Sequence, residues 1–86
     1  MTIGFKKSFR KRYKKIPIKI RSQFDDRLRL FIREPYHPIL NNHSLTGDRF
    51  GQWSIDITGD WRAIYIFQDS TSIVFIDINT HSNLYR

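Results

Sequence analysis

The stretch QWSIDITGDWRAIYIFQDSTSIVFIDI, residues 52–78, decides the fold of this chain. Apolar and polar residues alternate over 52–57 and again over 61–67, and residues 73–78 are rich in β-branched side chains. Alternation with a period of two is typical of a strand with one buried face. The apolar residues that share that face are Trp53, Ile55 and Ile57 in the first run and Trp61, Ala63, Tyr65 and Phe67 in the second. Turn residues at 58–60 and 69–70 separate the runs, so the stretch predicts a three-stranded antiparallel meander.

Upstream of the meander, apolar residues recur at helical spacing. Four of them are separated by four, four and three residues and share one helical face: Phe5, Phe9, Tyr13 and Ile16. Pro17 interrupts this pattern, because its ring removes a donor and clashes with the preceding turn. A second stripe follows and ends before Pro35: Ile20, Phe24, Leu28 and Phe31. The two stripes predict an antiparallel αα-hairpin.

The order of these elements predicts an α+β fold in one domain that spans residues 1–86, with a basic αα-hairpin packed on a small antiparallel β-meander. Residues 1–4 are a candidate edge strand, residues 34–51 form a connector, and residues 80–85 form a short polar tail. The chain has no cysteine, which excludes a disulfide or a thiolate metal site. It has no signal-peptide pattern and no run of eighteen apolar residues, so we expect a soluble cytoplasmic protein without membrane contact.

The net charge of +7 is concentrated near the N-terminus. Residues 1–24 contain nine Lys or Arg and no acid, whereas residues 35–86 contain three Arg against five Asp, a balance of −2. A basic half joined to a mildly acidic half favours a polyanionic partner held by one side of the molecule. The alternative is a basic helix that is simply solvated. A membrane-surface helix is less favoured, because the second helix offers a surface for burial.

If the chain is a nuclease, its candidate catalytic residues would have to work without a metal ion or cofactor. No metal-ligand spacing, phosphate loop or nucleophile elbow is present. Cleavage by the 2′-hydroxyl of RNA needs a proton acceptor, a proton donor and positive charge beside the phosphorane-like transition state. Histidine serves in either proton role, because an unperturbed imidazole has a pKa of about 6.5. The proton-transfer candidates are His43, Asp60 and His81, and the cationic candidates are Arg49 and Arg62. From the residues alone, Asp60 is equally a turn residue and Trp61 equally a core residue.

Four short motifs in a fixed order resemble the YafQ branch of the RelE superfamily of toxins. They are H-x-L-x-G (43–47), G-x-W-x-I-D (51–56), G-D-W-R-x-I-Y (59–65) and T-H-S-x-L-Y (80–85). The resemblance covers essentially the whole chain, since a basic helical pair before a short meander is also the family layout. None of the motifs is highly specific alone, but four in order are a strong signal.

The resemblance implies a role for each matching residue. His43 matches a histidine that contacts the scissile region, and Asp60 and His81 match residues that take part in proton transfer. Trp61 and Arg62 match substrate-binding positions, and Tyr85 falls where the family carries an aromatic residue that can stack on an mRNA base. We assign Arg49 to the same substrate-binding set for its charge. The cations expected to hold RNA or the ribosome are Lys7, Lys11, Lys14 and Lys15.

One residue departs from the family pattern. Members of this branch often carry a histidine in the strand before the aspartate–tryptophan pair, and this chain has Asp56 there. A carboxylate supplies no positive charge to a phosphate and repels it. The departure predicts either that proton transfer is shared among His43, Asp60 and His81, or that activity is reduced.

The resemblance thus implies an endoribonuclease toxin that cleaves mRNA in the ribosomal A site and is neutralised by a cognate antitoxin. The alternatives are a toxin like the related ParE branch, which inhibits DNA gyrase without cutting RNA, and a catalytically inactive RNA-binding module. For the nuclease we expect His43, Asp60 and His81 to line one concave face of the sheet, within about 10 to 12 Å of one another, as proton transfer to one substrate requires.

Overall fold

The computed structural model describes residues 1–84 of the chain. Within this range, five strands and three α-helices follow in the order β1 (Thr2–Phe5), α1 (Lys7–Tyr13), α2 (Ile18–Arg33), β2 (His43–Ser44), β3 (Gln52–Thr58), β4 (Trp61–Asp69), β5 (Ser72–Thr80) and α3 (His81–Leu84). Two 3₁₀ turns, Pro38–Leu40 and Gly47–Arg49, lie in the connector. The predicted α+β order of a helical pair before a meander is confirmed. No helix in residues 1–84 is long and apolar enough to cross a lipid bilayer.

α2 forms where its apolar stripe predicts it. α1 contains only Phe9 and Tyr13 of the first stripe, because Phe5 lies in β1 and Ile16 lies in the turn after the helix. Pro17 immediately precedes α2 with an extended ψ of 142°, so the chain breaks between the helices as expected. A helix as short as α1, with 7 residues, is unstable alone in water and depends on packing. Phe9 provides that packing: it is 2% exposed, and its ring lies 5.3 Å from the ring of Phe24 on α2.

The meander is the centre of a larger sheet with the strand order β1-β5-β4-β3-β2. β3, β4 and β5 pair in antiparallel fashion as predicted, β2 adds to β3, and β1 joins β5 in parallel. α1 packs on β5 and α2 packs on β3, and the main core lies between these helices and the sheet. Its centre is aromatic, with the ring of Phe75 5.4 Å from that of Phe24 and 5.5 Å from that of Tyr65.

The other side of the sheet, turned away from α1 and α2, is called the open face here. It carries the alternate residues of the strands, among them Ser54 and Asp56 of β3 and Arg62 and Ile64 of β4. α3 covers a part of this face, because Leu84 packs with Ile64 and Leu45 in a second, smaller apolar cluster. The open face therefore carries both polar side chains and an apolar seat for the C-terminal helix.

Three details differ from the sequence-based expectation. Phe5, predicted on the first helix, lies at the end of β1, where its ring stacks on Phe75 at 5.8 Å. The candidate edge strand at residues 1–4 is present but extends through Phe5. Residues 81–84, predicted as part of a polar tail, form α3 because Leu84 has an apolar seat on the sheet.

Candidate functional site

The end of the sheet between β4 and β5 joins two residues that lie 21 positions apart in the sequence. Trp61 pairs with Thr80 across the two strands, and one residue further out the main-chain N–H of His81 donates to the carbonyl of Asp60 at 2.7 Å. The side chains of Asp60 and His81 are both exposed. We call this pair the proton-transfer corner after the role that the family resemblance implies for the two residues, whose backbones meet at the end of the sheet.

α3 holds His81 at this corner. The hydroxyl of Thr80 accepts from the N–H of Asn83 at 3.3 Å and caps the helix start. At the other end, Leu84 is only 7% exposed, and its carbonyl accepts from Nη2 of Arg49 at 3.0 Å. Arg49 also donates to Oε1 of Gln52 at 2.8 Å. The helix that begins with His81 is therefore fixed at both ends, and Arg49 is one of the groups that fix it.

Arg62 connects the open face to the turn that carries Asp60. Its Nη1 donates to the carbonyl oxygens of Gly59 at 2.8 Å and Trp61 at 3.0 Å, on both sides of Asp60. Its Nε lies 2.9 Å from Oδ1 of Asp56, an ion pair whose N–H does not align as a hydrogen bond. The Arg62 guanidinium thus both stabilises the turn and pairs with the Asp56 carboxylate.

His43 lies on β2 at the edge of the sheet, opposite Ser54 of β3. Nδ1 of His43 donates to the carbonyl of Asn41 at 2.6 Å, since a carbonyl oxygen can only accept. In the neutral imidazole this leaves a lone pair on Nε2, which can accept a proton or a hydrogen bond. Beneath it, the buried hydroxyl of Ser54 has no hydrogen-bond partner among residues 1–84.

The connector that carries His43 is anchored in the core by the next residue back. Asn42 accepts from the hydroxyl of Tyr65 at 2.7 Å and donates to the carbonyl of Pro35 at 2.9 Å. Tyr65 is only 1% exposed, and burial raises its pKa to about 12 despite the hydrogen bond to Asn42. A protonated phenol therefore holds the connector in place throughout the physiological pH range.

The strand order separates His43 from the proton-transfer corner. β2 and β5 lie three strand spacings apart, roughly 14 Å between their backbones at the usual spacing. α3 bridges this distance over the open face, because Leu84 contacts Leu45 just beyond β2. Pairing of the neighbouring strands β4 and β5 is enough to form the corner. A site that also includes His43, within the predicted separation of about 10 to 12 Å, requires the three side chains to converge over the open face.

The predicted RNA-binding cations lie on the first helix and in the turn that follows it. Lys7 and Lys11 belong to α1, Lys14 and Lys15 follow its last residue, and all four are exposed. Trp61 is half-buried and packs partly against the main core, so it has both a structural contact and an accessible part. The predicted stacking residue Tyr85 lies outside the described residues.

The structure adds residues that the sequence analysis did not select. Arg12 and Asn79 line a groove together with Lys11, Lys15 and Trp61. The signal for Arg12 was present in the basic run, but only the packing of α1 on β5 shows which cations face the sheet. Among residues 1–84, no three His, Cys, Asp or Glu side chains form a group that could hold a metal ion.

The fold is shared with several toxins of known structure. YafQ from E. coli strain BL21(DE3) superposes with a TM-score of 0.81 at 19% identity, covering 98% of this chain and 97% of that chain. A YoeB/ParE toxin from Agrobacterium tumefaciens gives 0.76 at 24% identity, covering 94% and 99%. The toxin–antitoxin complex RelBE2 from Mycobacterium tuberculosis gives 0.69 at 21% identity, covering 92% and 95%. A comparison with curated protein sequences gives no significant match.

These likenesses define the fold class as that of the RelE-like toxins. The family follows from the sequence itself, since the family model described as bacterial toxin of type II toxin–antitoxin system, YafQ, matches residues 1–86. The chain belongs to the YafQ family.

Proposed function

We propose that this protein is an endoribonuclease that cleaves mRNA in the ribosomal A site without a metal ion. The observation that carries the proposal is the proton-transfer corner, where the N–H of His81 meets the carbonyl of Asp60 at 2.7 Å. Membership of the YafQ family supports it, and both residues of the corner are ones for which the motif resemblance implies proton transfer.

The reaction assigned to the site is attack by the 2′-hydroxyl on the adjacent phosphate. A base removes the proton of this hydroxyl, the 2′-oxygen–phosphorus bond forms, the bond to the 5′-oxygen breaks, and an acid protonates that oxygen. Asp60 and His81 accept the proton of the 2′-hydroxyl and donate a proton to the 5′-oxygen. The Nε2 lone pair of His43 contacts the scissile region. Arg49 and Arg62 contact the phosphorane, where Asp56 offsets part of the charge of Arg62. Trp61 and Tyr85 contact bases of the message.

Two macromolecular partners accompany this activity. The exposed cations Lys7, Lys11, Lys14 and Lys15 bind phosphates of RNA in the ribosome. A cognate antitoxin neutralises the toxin. The similar structures of RelBE2 from Mycobacterium tuberculosis and YoeB-YefM from Staphylococcus aureus, both determined as toxin–antitoxin complexes, support that partner. This proposal requires that the protein acts in the cytoplasm, where the ribosomes are.

The test uses the purified protein on programmed ribosomes, with His81→Gln as the diagnostic variant. Glutamine is polar and similar in size but cannot gain or lose a proton near neutral pH, so cleavage should fall by about 10² to 10⁴ while ribosome affinity is retained. Wild-type products should end in a 2′,3′-cyclic phosphate and a 5′-hydroxyl, and cleavage should persist in EDTA. If the wild-type protein arrests growth but yields no cut message, the proposal is wrong, and inhibition of gyrase becomes the next assay.

A further inference from the structure

A basic groove lies between the end of α1 and the corner of the sheet. It has a volume of about 430 Å³, and the residues that matter to its chemistry are Lys11, Arg12, Lys15, Trp61 and Asn79. This size falls within the range of about 300 to 1,000 Å³ that is common for small-ligand sites. Residues of α1 and of the turn after it line one side of the groove, and Trp61 and Asn79 at the end of the sheet line the other. Asn79 pairs with Arg62 across β4 and β5, so the groove reaches the strand position next to the Asp56–Arg62 pair.

The groove carries positive charge that the protein does not neutralise. Lys11 and Lys15 are exposed and form no ion pair with any of residues 1–84. Arg12 is different, since its Nε lies 3.2 Å from Oδ1 of Asp77. Two uncompensated ammonium groups therefore face a concave surface, which is the arrangement that attracts phosphates of a single strand.

An indole forms part of the same surface. Trp61 packs partly against the main core and also lines the groove, so its ring is held in place while a part of it stays accessible. A fixed aromatic ring between cations is a stacking platform for a nucleic-acid base, because every base offers a π-face. An acidic protein segment would use the lysines but has no need of the ring.

The groove ends next to the proton-transfer corner. Trp61 pairs with Thr80, and the residues one step outward are Asp60 and His81. Asn79 connects the groove to α3, since its Oδ1 accepts from the side-chain amide of Asn83 at 3.1 Å. A chain lying in the groove would thus leave it at the two groups assigned to proton transfer.

We propose that this groove binds the nucleotide adjacent to the scissile phosphate, with its base against Trp61 and its phosphates at Lys11 and Lys15. The inference rests on the proposed ribonuclease function and adds to it: α1 contacts the message that is cut, and not only ribosomal RNA. Lys11 and Lys15 become substrate-binding residues, whereas cations of α1 outside the groove serve the ribosome.

The experiment uses Trp61 as its own reporter. The chain has two tryptophans, so Trp53→Phe leaves Trp61 as the only one. A short 2′-O-methyl RNA, which lacks the attacking hydroxyl, should quench its fluorescence on binding. The converse variant Trp61→Phe, which keeps Trp53, should bind with no quenching. Saturated binding without a change in Trp61 emission would overturn the proposal.

Affinity and salt dependence test the two lysines. Replacing both with Gln should reduce the slope of log affinity against log salt by about 1.4, and the affinity by about 25-fold at 0.1 M salt, if each contacts one phosphate with a slope of about 0.7. The matched control is Lys6→Gln with Lys19→Gln, which removes the same charge from exposed positions outside the groove. A loss as large in the control as in the groove variant would contradict a specific site.

Two further outcomes separate this proposal from the proposed function. If Trp61 responds to RNA but ribosomes are not cut, the groove is an RNA site and the nuclease assignment fails. If ribosomes are cut normally but Trp61 does not respond, only the groove assignment fails. Quenching by a polyglutamate peptide but not by RNA would assign the groove to an acidic protein partner and overturn the proposal.

Discussion

The guanidinium of Arg62 lies 2.9 Å from the carboxylate of Asp56 across the β3–β4 pair. The two side chains are only 20% and 30% exposed, so water screens the pair incompletely. Asp56 stands where the family resemblance implies a histidine, and alone it would repel a phosphate. Paired with Arg62, it instead cancels a positive charge next to the turn that carries Asp60.

Asp56→Asn should therefore strengthen RNA binding. The amide keeps the shape of the carboxylate but releases the charge of Arg62. One additional phosphate contact changes the salt slope by about −0.7, which corresponds to roughly fivefold tighter binding at 0.1 M salt. The free energy of unfolding should fall by on the order of 1 kcal/mol, as for a partly exposed ion pair. Titration of a short uncleavable RNA at several salt concentrations measures the first effect, and urea unfolding measures the second.

The control for this variant is Asp26→Asn. Asp26 pairs with Arg29 at 2.8 Å on α2, where both side chains are about two-thirds exposed, at 67% and 69%. The substitution Asp26→Asn changes the net charge by the same amount as Asp56→Asn, but at a position away from both the open face and the groove. RNA affinity that rises equally in both variants would mean that net charge alone, and not Arg62, is responsible.

The Asp56–Arg62 contact also shows where sequence reasoning stops. A regular hairpin with a turn at 59–60 would place Ile57 opposite Arg62 and Asp56 opposite Ala63. A bulge between Asp56 and Thr58 shifts the register by one residue, so Asp56 faces Arg62. Alternation predicted the strands and most of their buried face, although Phe67 near the end of β4 is 45% exposed. It contains no information about an inserted residue.

The same limit applies to the rest of the site. β2 consists of two exposed residues, His43 and Ser44, and therefore shows no apolar pattern in the sequence. It forms a strand because it pairs with β3. α3 depends on one apolar side chain, Leu84, which packs against Leu45 and Ile64 from distant parts of the sequence. The motif order alone selects Asp60 and His81, and the contact between their main chains requires only that β4 and β5 pair. Long-range packing decided which cations of α1 line the groove.

Tyr65→Phe tests the anchor of the connector through pH. The pKa of Tyr65 is raised from 10.0 to about 12 by burial, so the folded chain holds this proton more tightly than the unfolded chain. Its stabilising effect is complete below pH 10 and is lost as pH rises towards 12, by at most about 1.4 kcal/mol per pH unit. Urea unfolding between pH 8 and 11 should show a shallower decline in the variant. Part of the decline in the free energy of unfolding should remain in the variant, because the pKa of Tyr13 is also raised, by burial and by Asp25. Identical profiles would contradict this role for Tyr65.

Asn42→Ala should lower cleavage without touching the substrate. It removes the acceptor of Tyr65 and the donor to Pro35, so His43 loses its fixed position. The expected loss is smaller than in His43→Gln, for which removal of a positioned acid or base costs about 10² to 10⁴. Single-turnover cleavage on programmed ribosomes gives the rates, and ribosome affinity should be unchanged in both variants. A larger effect of Asn42→Ala than of His43→Gln would mean that the connector, and not the imidazole, matters.

Leu84→Ala separates the position of His81 from the stability of the domain. Leu84 holds α3 in a small cluster with Leu45 and Ile64, apart from the main core. A buried Leu→Ala change typically costs about 2 to 5 kcal/mol, but here α3 can detach while the core stays folded, so the melting temperature should change little. Cleavage should fall at least about tenfold, because the proton-transfer corner opens and positioned acid–base catalysis is lost.

Hydrogen exchange and a core variant decide this last prediction. The amide of His81, bonded to the carbonyl of Asp60 at 2.7 Å, should exchange faster in Leu84→Ala, while amides of β4 and β5 keep their protection. Ile73→Val is the converse: Ile73 is 1% exposed in the main core, its loss of one methyl group costs about 0.5 to 1.5 kcal/mol, and cleavage should be retained. If Leu84→Ala accelerates exchange at His81 yet leaves cleavage intact, the contact between Asp60 and His81 is not needed for catalysis, and proton transfer must be assigned to other groups.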